Sequence, residues 1–286
     1  MLVRKVELDF SDAKIRWAED QPEFCHLLNA TSSFLHHLES FLNKAVRQSR
    51  KELDAAAHPA LDADVSMFCA QEGWHAKLHA QYNAKLVESG YPWIGPAADK
   101  MRDDFARFLA TKSPRWCLAY SEGFETVGPI VSHFFFEEAG DVLYDWDEPT
   151  VYLWLWHFAE EYEHRSVCNH LFKEVYDNNY PARIYGLVYA LCHQFSYTLR
   201  TANALINADL AAGRIKESKL RSKLRFANMM RRMWAYMLPK VLFRTMRPSY
   251  DPASIPPPKN SLKFLAQAEQ RYAIRRPSEF TEEPAG

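Results

Sequence analysis

The chain has 286 residues, a formal net charge of -1, 48% hydrophobic residues and only nine glycines. Near-neutral charge removes any whole-molecule electrostatic case for nucleic acid, and the scarcity of glycine favours helix over a turn-rich β fold. Five cysteines (Cys25, Cys69, Cys117, Cys168 and Cys192) lack Cys-x-x-Cys spacing, which excludes a zinc knuckle or disulfide framework and points to reduced thiols in a cytoplasmic protein.

Residues 1–20 contain no apolar run of signal-peptide length. Val3, Val6, Leu8 and Phe10 suit a brief extended segment, to which no function is assigned. Asp20 and Pro22 open a first long helix, 21–52. Leu28, Leu35, Leu42 and Val46 form its apolar stripe, with Glu39 inside it. His36 and His37 flank that stripe. A loop with Pro59 leads to a second helix, 62–89, whose stripe is Val65, Phe68, Glu72, His75, His79 and Leu86. Gly90, Pro92, Gly95 and Pro96 then break the chain.

Residues 97–112 suit a polar connecting helix, and Ser113-Pro114 starts the next, which carries Glu122 and Glu125. Gly123, Gly128 and Pro129 predict a distortion there. A turn at Asp145 to Pro149, with Asp147 as N-cap, precedes an apolar helix from Tyr152 to Tyr176. On that helix His157, Glu161 and His164 fall within about 60° of one another, beside Trp154 and Leu171. Two further helices are expected at 182–212 and 216–246. The second is basic, with eleven Lys or Arg between Arg214 and Arg247 against the single acid Glu217. From Pro248 the proline-rich tail should be extended. No uncharged stretch of about 18 residues exists, so no transmembrane helix is expected.

Carboxylates and imidazoles inside apolar stripes need a compensating partner, because burying a lone charge costs several kcal/mol. A metal ion is one. The candidate ligands are Glu39, Glu72, His75, Glu122, His157, Glu161 and His164. His79, Glu125 and Glu160 are alternate ligands or groups that support the ligands. Glu-x-x-His occurs at Glu72/His75 and Glu161/His164, each preceded by a lone Glu. This is the spacing of dinuclear carboxylate bundles. A third instance, Glu23/His26, points away from Glu39 on the same helix. The expectation is an all-α, ferritin-like four-helix bundle with two added C-terminal helices and an extended tail. It would form one domain, with 21–180 as the metal-binding bundle, 181–247 as added helices and 248–286 as the tail.

FLHHLESFL around Glu39, QEGWHAKLH, YSEGFET, WLWHFAEEYEHRSV and RPSYDP together resemble the family of predicted metal-dependent hydrolases, over most of residues 25–252. Where that family shows Phe-His-Pro, this chain has Tyr250-Asp251-Pro252, so a histidine role there is lost. The ligand pattern, with the extra His157, is also similar to di-iron oxygenases of the p-aminobenzoate N-oxygenase type. That resemblance implies two iron ions, with manganese or a mixed pair as alternatives. One ion would be held mainly by Glu39, Glu72 and His75, the other mainly by Glu122, His157, Glu161 and His164.

The expected activity is therefore an O2-dependent oxygenase acting on a small apolar or aromatic substrate, with an external electron donor. The alternatives are a dinuclear metal-dependent hydrolase and a non-catalytic metal-binding helical protein. Phe134, Phe135, Phe136, Trp154 and Trp156 are candidates to line the substrate pocket. The Arg214–Arg247 segment suits either a solvated face that balances the acidic remainder of the chain or a peripheral membrane or acidic-partner contact. The number of long helices suggests a homodimer.

Overall fold

The computed structural model describes residues 1–276, and the C-terminal end of the expected tail, 277–286, lies outside the described residues. The architecture is all-α. The helices are α1 (Pro22–Arg50), α2 (Pro59–Glu88), α3 (Ile94–Thr111), α4 (Pro114–Glu125), α5 (Gly128–Glu137), α6 (Pro149–His164), α7 (Val167–Val175), α8 (Tyr180–Ala211), α9 (Lys219–Lys240) and α10 (Ser261–Arg271). Two short strands, β1 (Val3–Lys5) and β2 (Ala273–Arg275), pair antiparallel with Arg4 opposite Ile274.

Proline sets several helix starts. Pro22, Pro59, Pro114 and Pro149 each sit in the first turn, where a missing N–H costs nothing. Ser113 caps α4 by accepting from the Trp116 N–H. Glu148, not Asp147, caps α6 through the Thr150 N–H.

Two expected long helices are broken. The one after Ser113 ends at Glu125 and restarts at Gly128. Pro129 cannot donate, and its ring would crowd the carbonyl of Glu125 in a continuous helix. The helix through His157 ends at His164, where the Arg165 guanidinium takes the Tyr162 carbonyl and reaches on to the Pro252 and Ala253 carbonyls.

The basic helix is likewise interrupted. Pro239 removes a backbone donor inside α9, and a π-turn follows at Val241–Thr245. The tail is not simply extended. It forms a 3-10 turn at Pro252–Ser254, then α10, which packs on α6, then β2.

The long helix α1 lies against α2, α3, α4 and α8, while α6 packs on α2, α5 and α10. At the α4–α8 crossing, a Cβ on Gly123 would sit 2.5 Å from the Leu187 Cα, so only glycine permits this approach. Buried apolar residues from Val6 to Ala268 form one continuous core, with Trp154 and Trp156 among its largest side chains. No helix is long and apolar enough to cross a membrane among the described residues.

Candidate metal centre

Inside this core lies an acidic cluster. Glu39 of α1, Glu72 of α2, Glu125 of α4 and Glu161 of α6 are all buried and converge with His75, His157 and His164. His164 Nε2 lies 3.4 Å from Glu72 Oε1, 3.3 Å from Glu125 Oε2 and 3.4 Å from Glu161 Oε2. His75 Nδ1 is 3.4 Å from Glu72 Oε1. His157 Nε2 is 3.1 Å from Glu161 Oε1, and its Nδ1 is 3.7 Å from Glu39 Oε1.

Four overlapping donor groups result, each with its donor atoms within 4.8 Å of one another. They are Glu39/Glu72/His75, Glu72/Glu125/Glu161/His164, His75/His157/Glu161 and Glu39/His79/His157. Glu72 belongs to the first two, the position a bridging carboxylate would take.

The surrounding hydrogen bonds assign each ring its free nitrogen. Asn83 Nδ2 donates to the Ser32 carbonyl and to His36, so Asn83 Oδ1 accepts from the Ser32 hydroxyl at 3.0 Å. Ser32 Oγ then accepts from His79 Nδ1 at 2.8 Å. His79 Nε2 must accept from His157 Nδ1, 3.0 Å away, which leaves the His157 Nε2 lone pair facing Glu161. His75 bonds Glu160 through Nε2 at 3.1 Å, leaving Nδ1 for the cluster. His164 Nδ1 donates to Gln71 Oε1 at 3.2 Å, leaving Nε2. Each ring is thus held from behind, the arrangement that orients metal-ligating histidines.

The inward atoms lack partners. Both carboxylate oxygens of Glu39, Glu72, Glu125 and Glu161, together with His75 Nδ1 and His164 Nε2, make no hydrogen bond among the described residues. Buried polar atoms are nearly always satisfied, so a knot of orphans needs an explanation.

The proton affinities carry the same strain. Burial pushes Glu39 well above the usual carboxylate range, and the charge of Glu72 adds to it. Burial, then the Glu161 charge, push Glu125 up to about 8. Burial would also raise Glu161, but His164 and then His157 hold it below the ordinary range. For His75, burial works downward, yet Glu160 and Glu72 raise it to about 10. Burial and the nearby His75 charge keep His157 low, and therefore neutral. Acids at this density call for positive charge. Oxygen and imidazole donors without a thiolate suit a hard or borderline divalent ion, and the residues present fit one.

Nine of the ten candidates from the sequence meet here, in different roles. His79 and Glu160 stand behind His157 and His75. Glu125 takes the place expected for Glu122. Glu122 instead accepts from Asn169 at 2.7 Å and Thr126 at 2.9 Å, with Arg183 at 3.6 Å, so its charge is already answered outside the cluster. Glu23 and His26 pair with Arg225 and Asp209, away from the centre.

Three supporting residues were not among the candidates. Arg4, from the segment given no function, is 1% exposed and donates to Glu160 at 3.1 Å and to Glu163 at 2.8 Å. Gln71 ties His164 to Glu163 and to the Leu2 carbonyl. Ser32 anchors His79. Only the position of Gln71 beside Glu72 could have hinted at its role. The break after α4 also has a local purpose: a Cβ on Gly128 would lie 2.6 Å from Glu161 Oε2. At the expected family histidine, Asp251 pairs with His170 at 3.0 Å and caps the Pro252 turn.

An apolar cavity of about 180 Å³ opens beside the cluster, with His157 and Glu161 in its wall. Leu28, Phe34, Phe135, Trp154, Phe158 and Met237 supply much of the rest. Of the five aromatics expected to line the substrate pocket, Phe135 and Trp154 line this cavity, and Phe134 lines a separate one near Arg225 and Arg232. Trp156 packs edge-on against His75 instead, 4.8 Å between ring centres. Trp154, His157, Phe158 and Glu161 share the cavity face because i, i+3, i+4 and i+7 fall on one side of a helix.

The family model described as predicted metal-dependent hydrolase matches residues 2–255, and the chain belongs to that family. No curated protein and no solved structure matches. The family corrects the expectation of an O2-dependent oxygenase, because it points to metal-dependent hydrolysis. The ligand pattern misled because carboxylate-bridged pairs of ions serve both chemistries. An external electron donor was expected only with redox chemistry and has no role in hydrolysis.

Proposed function

We propose that this member of the family hydrolyses a carboxylic ester whose apolar portion sits in the cavity beside the acidic cluster. One observation carries the proposal: His157 and Glu161 belong both to the donor cluster and to the cavity wall. A group held by Phe135, Trp154 and Phe158 is therefore delivered against the donors. The cavity, about 180 Å³, slightly exceeds the roughly 150 Å³ that admits benzene in an engineered protein, so it suits one aromatic ring or a short branched chain.

Glu39, Glu72 and His75 would hold one divalent ion, and Glu72, Glu125, Glu161 and His164 a second, with His157 completing the donors on the cavity side. Bound there, such ions supply Lewis acidity that polarises an ester oxygen and makes water nucleophilic near neutral pH. The protein does the rest. The aromatic wall orients the ester and excludes bulk water. Water adds to the carbonyl carbon, the bond to the alcohol oxygen breaks, and a Glu161 carboxylate oxygen would take the proton from water and return it to the alcohol. His79, Ser32 and Asn83 keep His157 in the tautomer that turns its Nε2 lone pair towards the ion.

The test is a panel of esters differing only in an aromatic, branched alkyl or sugar-like side, given to protein loaded with Mn(II), Fe(II) or Zn(II). Hydrolysis should favour the aromatic and branched esters, vanish with chelator and be unaffected by removing O2. Fully loaded protein that cleaves none of them, or turns over only with O2, would overturn the proposal.

A further inference from the structure

The basic helix α9 has two faces, and only one is used by the fold. Ser222 and Met237 are buried, Phe226 packs on the core, and Met233 and Met237 line the cavity. The opposite face is apolar as well. Leu220, Leu224 and Leu238 are 68%, 62% and 44% exposed, and Leu242, in the π-turn that continues the helix, is 46% exposed. At about 100° per residue the four leucines lie within roughly 40° of one another, with Arg231 in their midst. Scattered exposed leucines are ordinary, but an aligned row of them is not.

The flanks are cationic. Arg221 and Lys223 stand about 80° to either side of the row. Arg225 and Arg214 are taken up by Glu23 and Asp209. Lys219, Arg221, Lys223 and Arg231 pair with no carboxylate among the described residues. A leucine row with unpaired cations along both edges is the pattern of a helix lying in a membrane interface.

We propose that the outward face of α9 docks on an anionic lipid bilayer. Charge decides between occupants. A second copy would bring the same unpaired cations against these, and like charges across an interface disfavour association. Nucleic acid would meet leucines along the middle of the face. An anionic bilayer offers headgroup charge to Arg221, Lys223 and Arg231, and hydrocarbon to the leucines. Docking would also set the apolar cavity, walled on the inner side of the same helix, close to the bilayer, where apolar molecules concentrate. Docking of this face does not depend on the ester chemistry.

The experiment is co-sedimentation of the full chain with vesicles of phosphatidylcholine alone or mixed with phosphatidylserine, at low and high salt. Wild type should bind the anionic vesicles about tenfold more strongly than the neutral ones, and high salt should weaken this. The exposed double variant Leu224→Asp/Leu238→Asp should lose about tenfold in binding while keeping its circular dichroism spectrum and metal content. Should that variant misfold, Arg221→Glu/Arg231→Glu carries the same expectation. Failure of wild type to bind anionic vesicles, or equal binding by folded variants, overturns the proposal. So does light scattering that shows a dimer dissolved by the leucine variants, with no vesicle binding by wild type. That outcome would assign the face to a second copy. Metal content and ester hydrolysis, measured on the same samples without vesicles, separate failure here from failure of the hydrolase proposal.

Discussion

Glu39 and the Glu72/His75 pair stand within uninterrupted helices of 29 and 30 residues, whereas Glu125 and His164 are the last residues of α4 and α6. The first half is closed in by core and backed by Glu160 and Arg4. The second half needs the helix breaks. Ending α4 at Glu125 lets Gly128 pass against Glu161, and Gly128, Val131 and Phe135 of α5 then form part of the cavity wall. On the proposed reading, the continuous half would hold metal and the broken half would admit substrate. An ideal four-helix bundle would supply donors from both sides and leave no room for a substrate.

The largest effects are expected on removing Glu125 and, separately, Glu122. Glu125→Ala should lose about half the bound metal and reduce hydrolysis to background. Glu122→Ala should keep its metal but lose stability, by about 3–5 kcal/mol, because it strands Arg183 as a buried charge. Elemental analysis with denaturant unfolding distinguishes the two. The opposite pattern would restore Glu122 as the donor.

The next largest effect is expected at Gly128. Gly128→Ala places a methyl 2.6 Å from Glu161 Oε2, so the carboxylate must shift. Displacement of a reacting geometry by about 1 Å can cost on the order of 100-fold. The fall should appear in kcat, with the fold retained. In the supporting layer, Glu160→Ala should weaken metal affinity about 10–100-fold by releasing His75 Nε2, read by competition with a chelating dye.

The smallest effect tests the continuous half. Gly73 lies beside Glu72 in mid-helix with nothing within 4 Å of an added Cβ. Gly73→Ala should therefore raise stability by about 0.5–1 kcal/mol through helix propensity and leave metal content unchanged. A loss of metal there would show that the halves are not built differently.

Much of the centre was legible in the sequence because ligand spacing and apolar periodicity are both local. Glu39, Glu72, His75, His157, Glu161 and His164 follow from which face of a helix each occupies. Glu122 misled for the same reason: it continues the Leu118 face of an ideal helix. Whether a buried carboxylate reaches a cavity or an arginine is decided by Asn169 and Arg183, far along the chain. Arg4 was invisible for a related reason. A lone arginine in a short mixed segment gains meaning only when β1 pairs with β2 and carries it to Glu160 and Glu163. The helical fold of the proline-rich tail depends likewise on packing against α6.

If the buried acids hold metal, the metal content per chain reads it out. Wild type, Glu72→Ala and His164→Ala should each be loaded anaerobically, freed of loose ions and analysed for metal against protein concentration. Two divalent ions per wild-type chain are predicted, with Glu72→Ala losing most of both, because it belongs to both donor groups, and His164→Ala losing chiefly one. Wild type with no stoichiometric metal under any loading would mean that the buried acids do not serve to bind metal.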